Sequence, residues 1–327
     1  MPRCIFIALL WFTGLALTAA PATYPPSTTT ASPVSTLLVT WHDATRDRDV
    51  PAKIYYPSAP ATPNATAACP VIIFSHGLGG SREGYSYVGE YWAAHGYISV
   101  HLQHLGSDEA VWKDTLRPMK ALRTAVKDPA NARNRPRDVS FALDQLTALN
   151  ANAQSPLHAR LDLNRIGLAG HSFGAYTTLA TVTPGHPVGG YDPRIKAAIA
   201  MSTPSPKTPN AYAAIKIPVY HLTGTKDTDM AGGAKDAKDR RIPYDQTKSA
   251  PACLVTFDGA DHMVFSGPNS RRKPTTSDLR FHDLIQRSTL AFWDAELKGD
   301  QAARTWLHNG DFATTLGKDG IFEQKGW

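Results

Sequence analysis

From residue 37 to residue 257 the chain alternates short, strongly apolar runs with longer stretches of helical spacing. Pro70-Val71-Ile72-Ile73-Phe74 is apolar at every position, the pattern of a strand covered on both faces and not on one. Residues 97–102, 164–169, 195–201, 217–222 and 253–257 are the further strands expected. Leu37–Trp41 and Val50–Tyr56 precede them as two β-rich stretches separated by a polar turn. A helix is expected from an N-cap at Ser81 to a stop at Gly96. Val139, Ala142, Leu143, Leu146 and Leu149 recur at helical spacing, and a closing helix is expected from about Ser277 to Leu297. Residues 105–135 carry no clear period. Strands alternating with helices imply an α/β fold: a mostly parallel central sheet of about eight strands with helices on both faces.

The beginning of the chain does not belong to that pattern. Met1-Pro2-Arg3 is basic, Cys4 to Leu17 is almost wholly apolar, and Thr18 to Ala22 are small residues and a proline. Residues 1–22 therefore read as a signal peptide cleaved near Ala20 or Ala22, its apolar run shorter than the ~20 residues of a membrane span. The expected location is secreted or periplasmic, without stable membrane insertion after cleavage. Residues 23–34, rich in Thr, Ser and Pro, read as a flexible lead-in, and 35–327 as a single domain expected to be monomeric. The formal net charge is +6, spread without long runs. Arg271-Arg272-Lys273 and the trio Arg133, Arg135, Arg137 lack interleaved aromatics, so no nucleic-acid partner is expected. Beyond Cys4 only Cys69 and Cys253 occur. Each sits at or before a strand start, the two strands several positions apart, so two free thiols are expected.

The strand at 164–169 runs into Gly170-His171-Ser172-Phe173-Gly174, with a helical stretch after it. A Gly-x-Ser-x-Gly between strand and helix puts a hydroxyl on a turn too tight for side chains at its two glycine positions. A serine hydroxyl becomes a nucleophile only when an imidazole can take its proton and an acid orients that imidazole. In parallel sheets such groups gather at the carboxyl ends of strands. Asp227 follows the strand at 217–222, with Asp229 as a rival, and His262 follows the strand at 253–257. The chain order Ser172, Asp227, His262 fits a catalytic triad on this kind of sheet. Oxyanion donors are expected from the backbone N–H groups of Phe173 and of Leu78, in the turn His76-Gly77-Leu78-Gly79-Gly80. His171 is expected to turn toward packing, and His101 and His104, on or just past a strand near the site, to be structural, with support of the site or contact with substrate as the alternative. Trp112 and Phe265 are candidate cleft walls, with packing the default for each. Asp229, Asp258 and Asp261 lack the spacing of cation ligands, so no metal and no cofactor is expected.

Together, Phe74-Ser75-His76-Gly77-Leu78-Gly79-Gly80, Gly170-His171-Ser172-Phe173-Gly174 and Gly259-Ala260-Asp261-His262 resemble the α/β-hydrolase superfamily. More narrowly they are similar to the secreted platelet-activating-factor acetylhydrolase and bacterial dienelactone-hydrolase-like group, over roughly residues 50–297. The resemblance implies an α/β-hydrolase fold, Ser172 as nucleophile, His262 as base, and Leu78 and Phe173 as oxyanion donors. It departs at two points. In the animal acetylhydrolases the acid follows the strand just after the nucleophile helix, where this chain has Ala200-Met201-Ser202-Thr203. Dienelactone hydrolases use a cysteine nucleophile, which argues against that substrate. The connection from Ser202 to Lys216 is too short for a large lid domain. The expected activity is hydrolysis of short-acyl or lipid carboxylic esters through an acyl-enzyme. The alternatives are a polyester or cutinase-like hydrolase and a catalytically silent binding protein on the same fold.

Overall fold

The computed structural model describes residues 24, 31–58, 68–228, 236–268 and 273–327. The signal segment, most of the lead-in, Asp229 and the Arg271-Arg272 pair lie outside the described residues. Nine strands form one sheet in the order β1-β2-β4-β3-β5-β6-β7-β8-β9. They are β1 (Val34–Asp43), β2 (Arg48–Pro57), β3 (Cys69–Ser75), β4 (Ile98–Leu102), β5 (Leu161–His171), β6 (Ile195–Met201), β7 (Val219–Lys226), β8 (Ala252–Asp261) and β9 (Gly320–Lys325). The strands β4-β3-β5-β6-β7-β8 are parallel, while β1, β2 and β9 pair antiparallel at the two edges.

The continuous apolar runs have a direct cause. Ile72 and Phe74 of β3 point into one core with Trp92 and Trp293, whereas Val71 and Ile73 point into a second core with Leu143 and Leu179. Both faces of the sheet are thus buried, and successive residues must all be apolar. The first core is closed by α1 (Ser86–Ala94) and α7 (Thr276–Trp293), the second by α4 (Pro129–Ala151) and α5 (Phe173–Val182). Trp92 and Trp293 meet edge to face at 6.0 Å, and the Trp92 indole N–H donates to Thr289.

Several boundaries differ from the expectation. The first helix starts at Ser86, not after Ser81, because Tyr85 sits in the left-handed region (φ 62°) and its hydroxyl is tied into the site described below. The illegible stretch holds α2 (Ala110–Lys113), α3 (Pro118–Lys127) and the first turns of α4. Its signals are local ones: Asp128 caps the amide of Ala130, with Pro129 at the first helical position. A short helix, α6 (Ile242–Gln246), precedes β8, and the ninth strand and two short helices, α8 (Gln301–His308) and α9 (Asp311–Leu316), follow the expected closing helix. Cys69 and Cys253 are free, on strands four places apart in the sheet.

Burial makes several histidines acid-sensitive elements. Desolvation holds His101 and His221 down at about 3. It holds His104 at about 4, aided by the charge of Arg135 and opposed by Asp138. Below about pH 6.5 the unfolded chain takes up protons that these folded sites refuse. Stability is therefore complete above that pH, and each site loses up to roughly tenfold in the folding equilibrium per pH unit on the way down. The urea midpoint is expected to fall steeply between pH 6.5 and 4. A midpoint unchanged from pH 7.5 to 5 would contradict neutral buried imidazoles.

Candidate active site

Four neighbouring strands, β5 to β8, each carry one polar residue just past their carboxyl end. His171 of β5 pairs with Met201 of β6, so Ser172 and Ser202 are the next residues on adjacent strands. Lys226 of β7 pairs with Asp261 of β8, so Asp227 and His262 are likewise adjacent. A bulge between Gly224 and Lys226 is needed for this register, and a Cβ on Gly224 would lie 2.2 Å from the Ala260 carbonyl.

The serine turn is as tight as its glycines imply. Ser172 is held at φ 55°, ψ −117°, a region that side-chain-bearing residues rarely occupy. A Cβ on Gly174 would lie only 1.8 Å from the Ser75 carbonyl oxygen, and one on Gly170 2.4 Å from the Gly174 backbone. Strand, turn and helix can approach this closely only without those side chains. The helix α5 then begins at Phe173 and is buried at nine of its ten positions.

His262 Nε2 lies 3.0 Å from Ser172 Oγ, and His262 Nδ1 lies 2.8 Å from Asp227 Oδ1. Asp227 is fully buried. Its Oδ1 also accepts from the Ser202 hydroxyl at 2.8 Å and its Oδ2 from Thr223 at 2.9 Å. Burial alone would push this carboxyl up. The hydrogen bond and charge of His262, the charge of Arg240 and the Ser202 hydroxyl outweigh it and hold Asp227 at about 2. An ionised acid, an imidazole and a hydroxyl in line can move a proton from the hydroxyl to Nε2.

The turn after β3 is fixed by a second histidine. The His104 amide donates to His76 Nε2 at 3.0 Å, so the ring proton sits on Nδ1 and is donated to the Gly77 carbonyl at 2.6 Å. Burial, with the charge of Arg135, keeps that ring neutral. Gly80 donates to the same carbonyl. With the Gly77 carbonyl held from two sides, the N–H of the same planar peptide, that of Leu78, faces the opposite way. Leu78 and Phe173 both line the cleft that holds Ser172 and His262. Below the loop, Arg135 donates to the His76 carbonyl, to Ser75, Ser107 and Thr177, and lies 4.5 Å over the Phe173 ring.

The cleft measures about 710 Å³, within the range of small-molecule sites. It is lined by Met119, Leu122 and Val126 of α3 and by Tyr176, His186, Tyr212 and the segment Pro204–Thr208. The short connection after Ser202 is thus itself a wall. Among the described residues, its lining has two lysines, Lys127 and Lys207, and no carboxylate. Trp112 and Phe265 do not line it. The Trp112 indole donates to the Gly79 carbonyl, and Phe265 is fully buried, leaving Met263 and Ser266 at the surface of the cleft.

His171, His101 and His104 hold structure. His171 is buried between the Tyr85 hydroxyl (2.9 Å) and the His262 carbonyl (3.0 Å). His101 stacks on Phe74, and His104 bridges Asp138 and Ser75. No cluster of metal-binding side chains occurs among the described residues. Ser202, Thr223, Arg240, Tyr85 and the locking role of His76 were not read from the sequence. Ser202 stood in plain view at the end of β6 but was weighed only for the carboxylate it lacks. Arg240 lies on a 3₁₀ turn (Ala237–Arg241) that carries no apolar period.

Two comparisons bear on this site. The chain is 25% identical to a platelet-activating factor acetylhydrolase from Cavia porcellus over 279 residues, 74% of this chain and 61% of that protein. The chain therefore spans about three-fifths of the length of the curated relative it matches. A family model described as PET hydrolase-like matches residues 49–281, a span that runs from β2 into α7 and contains Ser172, Asp227 and His262. With that span covering most of the chain and the parallel sheet beneath it, the chain belongs to the PET hydrolase-like family of α/β-hydrolases.

Proposed function

We propose that the protein is a serine hydrolase of carboxylic esters that works through an acyl-enzyme. One observation carries this reading: Asp227, His262 and Ser172 stand in hydrogen-bonded sequence, at 2.8 and 3.0 Å, on the floor of a cleft. Ser172 Oγ attacks the ester carbonyl while His262 Nε2 takes its proton and Asp227 steadies the imidazolium. The negative charge that develops on the carbonyl oxygen falls to the N–H groups of Leu78 and Phe173, each typically worth ~10²–10³ in turnover. His262 then protonates the departing alcohol. A water, deprotonated by the same imidazole, releases the acid and restores Ser172. No metal or cofactor enters these steps.

The substrate is proposed to be a short-acyl or lipid ester. Aliphatic side chains of α3 and an aromatic, proline-rich set line the same cleft, which suits an ester with an apolar group. The relative, named an acetylhydrolase, favours the same class. A polyester hydrolase is the second reading, favoured by the name of the matching family. The apolar start of the chain supports export, and no described helix is long and apolar enough to cross a membrane.

A panel of p-nitrophenyl esters of rising acyl length, a phospholipid with a short sn-2 chain and an aromatic polyester film separates these readings. The first reading expects highest kcat/KM for the short acyl groups and little release from film. Film release matching the soluble esters would favour the second. Absence of any Ser172-dependent turnover would overturn both.

A further inference from the structure

Asp227 and His262 are enclosed by two groups that the proton path does not require. Ser202 follows β6 at φ 55°, buried, in the left-handed region that side-chain-bearing residues rarely adopt. Its hydroxyl donates to Asp227 Oδ1 at 2.8 Å and lies 2.6 Å from His262 Nδ1. Since Nδ1 carries the proton shared with Asp227, the Ser202 oxygen accepts from it. Hydroxyl, imidazole and carboxylate close a three-membered ring.

Arg240 stands on the other side with a fully buried guanidinium. Its Nε donates to the Asp227 backbone carbonyl at 3.2 Å and lies 3.3 Å from Oδ1. Its Nη1 donates to the Ser202 carbonyl at 3.0 Å. Nη2 comes within 3.3 Å of His262 Nδ1. Two donors meet there, so the contact is one of charge on an imidazole and not a hydrogen bond. One arginine thus ties the ends of β6 and β7 together and places a cation beside the ring.

We infer that Ser202 and Arg240 are positioning residues that set the aim and the charge of the Asp227–His262 couple. The inference rests on the hydrolase reading above. Neither residue lines the cleft, so neither touches substrate. Ser202 limits the ring of His262 to one orientation. Arg240 offsets the charge of Asp227 and ties together the strand ends that carry Ser202 and Asp227. The other groups facing His262 are His171, at 4.7 Å between ring centres and neutral, the Ser172 hydroxyl, and its chain neighbour Asp261, which is turned to the amides of Met263 and Val264.

The test is the split between kcat and KM for p-nitrophenyl acetate in the full chain. Arg240→Met is expected to lower kcat more than tenfold with KM within twofold, because it acts on the Asp227–His262 couple and not on the cleft. Arg240→Lys, which keeps the charge, is expected to recover most of that loss. An unchanged kcat in folded Arg240→Met, or a rise in KM that accounts for its fall in kcat/KM, overturns the inference. If Arg240→Met does not fold, Ser202→Ala carries the test: kcat must fall about tenfold at unchanged KM, and an unchanged kcat overturns the shared ring. Failure of the hydrolase reading is distinct, since wild type itself would then show no Ser172-dependent turnover.

Discussion

Ser172→Ala is expected to lower ester turnover about 10⁶-fold while the protein stays folded. In a serine hydrolase of the proposed kind the nucleophile and its base act as a unit, and loss of either removes nearly the whole triad contribution, about 2 × 10⁶ in kcat in a well-measured case. The fold should hardly notice. Ser172 Oγ makes its hydrogen bond to His262 and none that caps α5, and its strained backbone is set by Gly170 and Gly174, which remain. Circular dichroism and a urea midpoint within about 0.5 kcal/mol of wild type, as for substitutions away from packing features, would certify that the loss is chemical. The double variant Ser172→Ala/His262→Ala should be no worse than either single one. A residual rate above water of ~10³–10⁴ is expected from the Leu78 and Phe173 amides and from binding. Turnover reduced only a few-fold would remove Ser172 from its role.

Asp227→Asn has the second largest expected effect, about 10⁴ in kcat. An amide cannot steady an imidazolium, and its NH₂ group facing Nδ1 favours the tautomer that leaves Nε2 unable to accept the serine proton. Unlike the serine variant, this one should also be less stable. Arg240 and Asp227 are both fully buried as a pair. Removing one partner of such a pair typically costs about 3–5 kcal/mol, since the other charge is left without its counter-ion. Loss of activity and a lowered urea midpoint should therefore appear together, with the substrate KM little changed. A larger activity loss in Asp229→Ala than in Asp227→Asn would assign the acid to Asp229 instead.

The legibility of this chain follows from where its residues sit. The strands β3 and β6 announced themselves because burial on two faces demands apolar residues at nearly every position, the exposed Lys196 of β6 being an exception. The edge strand β9, Gly-Ile-Phe-Glu-Gln-Lys, has one covered side and a mixed pattern, so nothing in it distinguished strand from loop. The serine turn was readable because its glycines are required by contact distances of about 2 Å that no side chain could meet. Asp227 and His262 were readable as strand-end residues, because a parallel sheet presents only one end to a cleft. Ser202 and Arg240 were not. Their roles depend on three chain segments meeting, and a serine after a strand or an arginine in a polar turn has no local mark of that meeting. The walls of the cleft were hidden for the same reason: α3 is a short amphipathic stretch with basic residues, and nothing in it says that Leu122 and Val126 line one cleft with Tyr176, Tyr212 and the serine.

The most direct measurement is covalent. A fluorophosphonate reacts only with a serine whose oxygen is activated by a base, and the adduct survives digestion and mass spectrometry. Incubated with the full chain at pH 7.5, the probe is expected to add one phosphonyl group, on the peptide containing Ser172. Labelling should vanish in Ser172→Ala and slow by orders of magnitude in Asp227→Asn. An unlabelled wild type, or an adduct that persists in Ser172→Ala, would contradict the account.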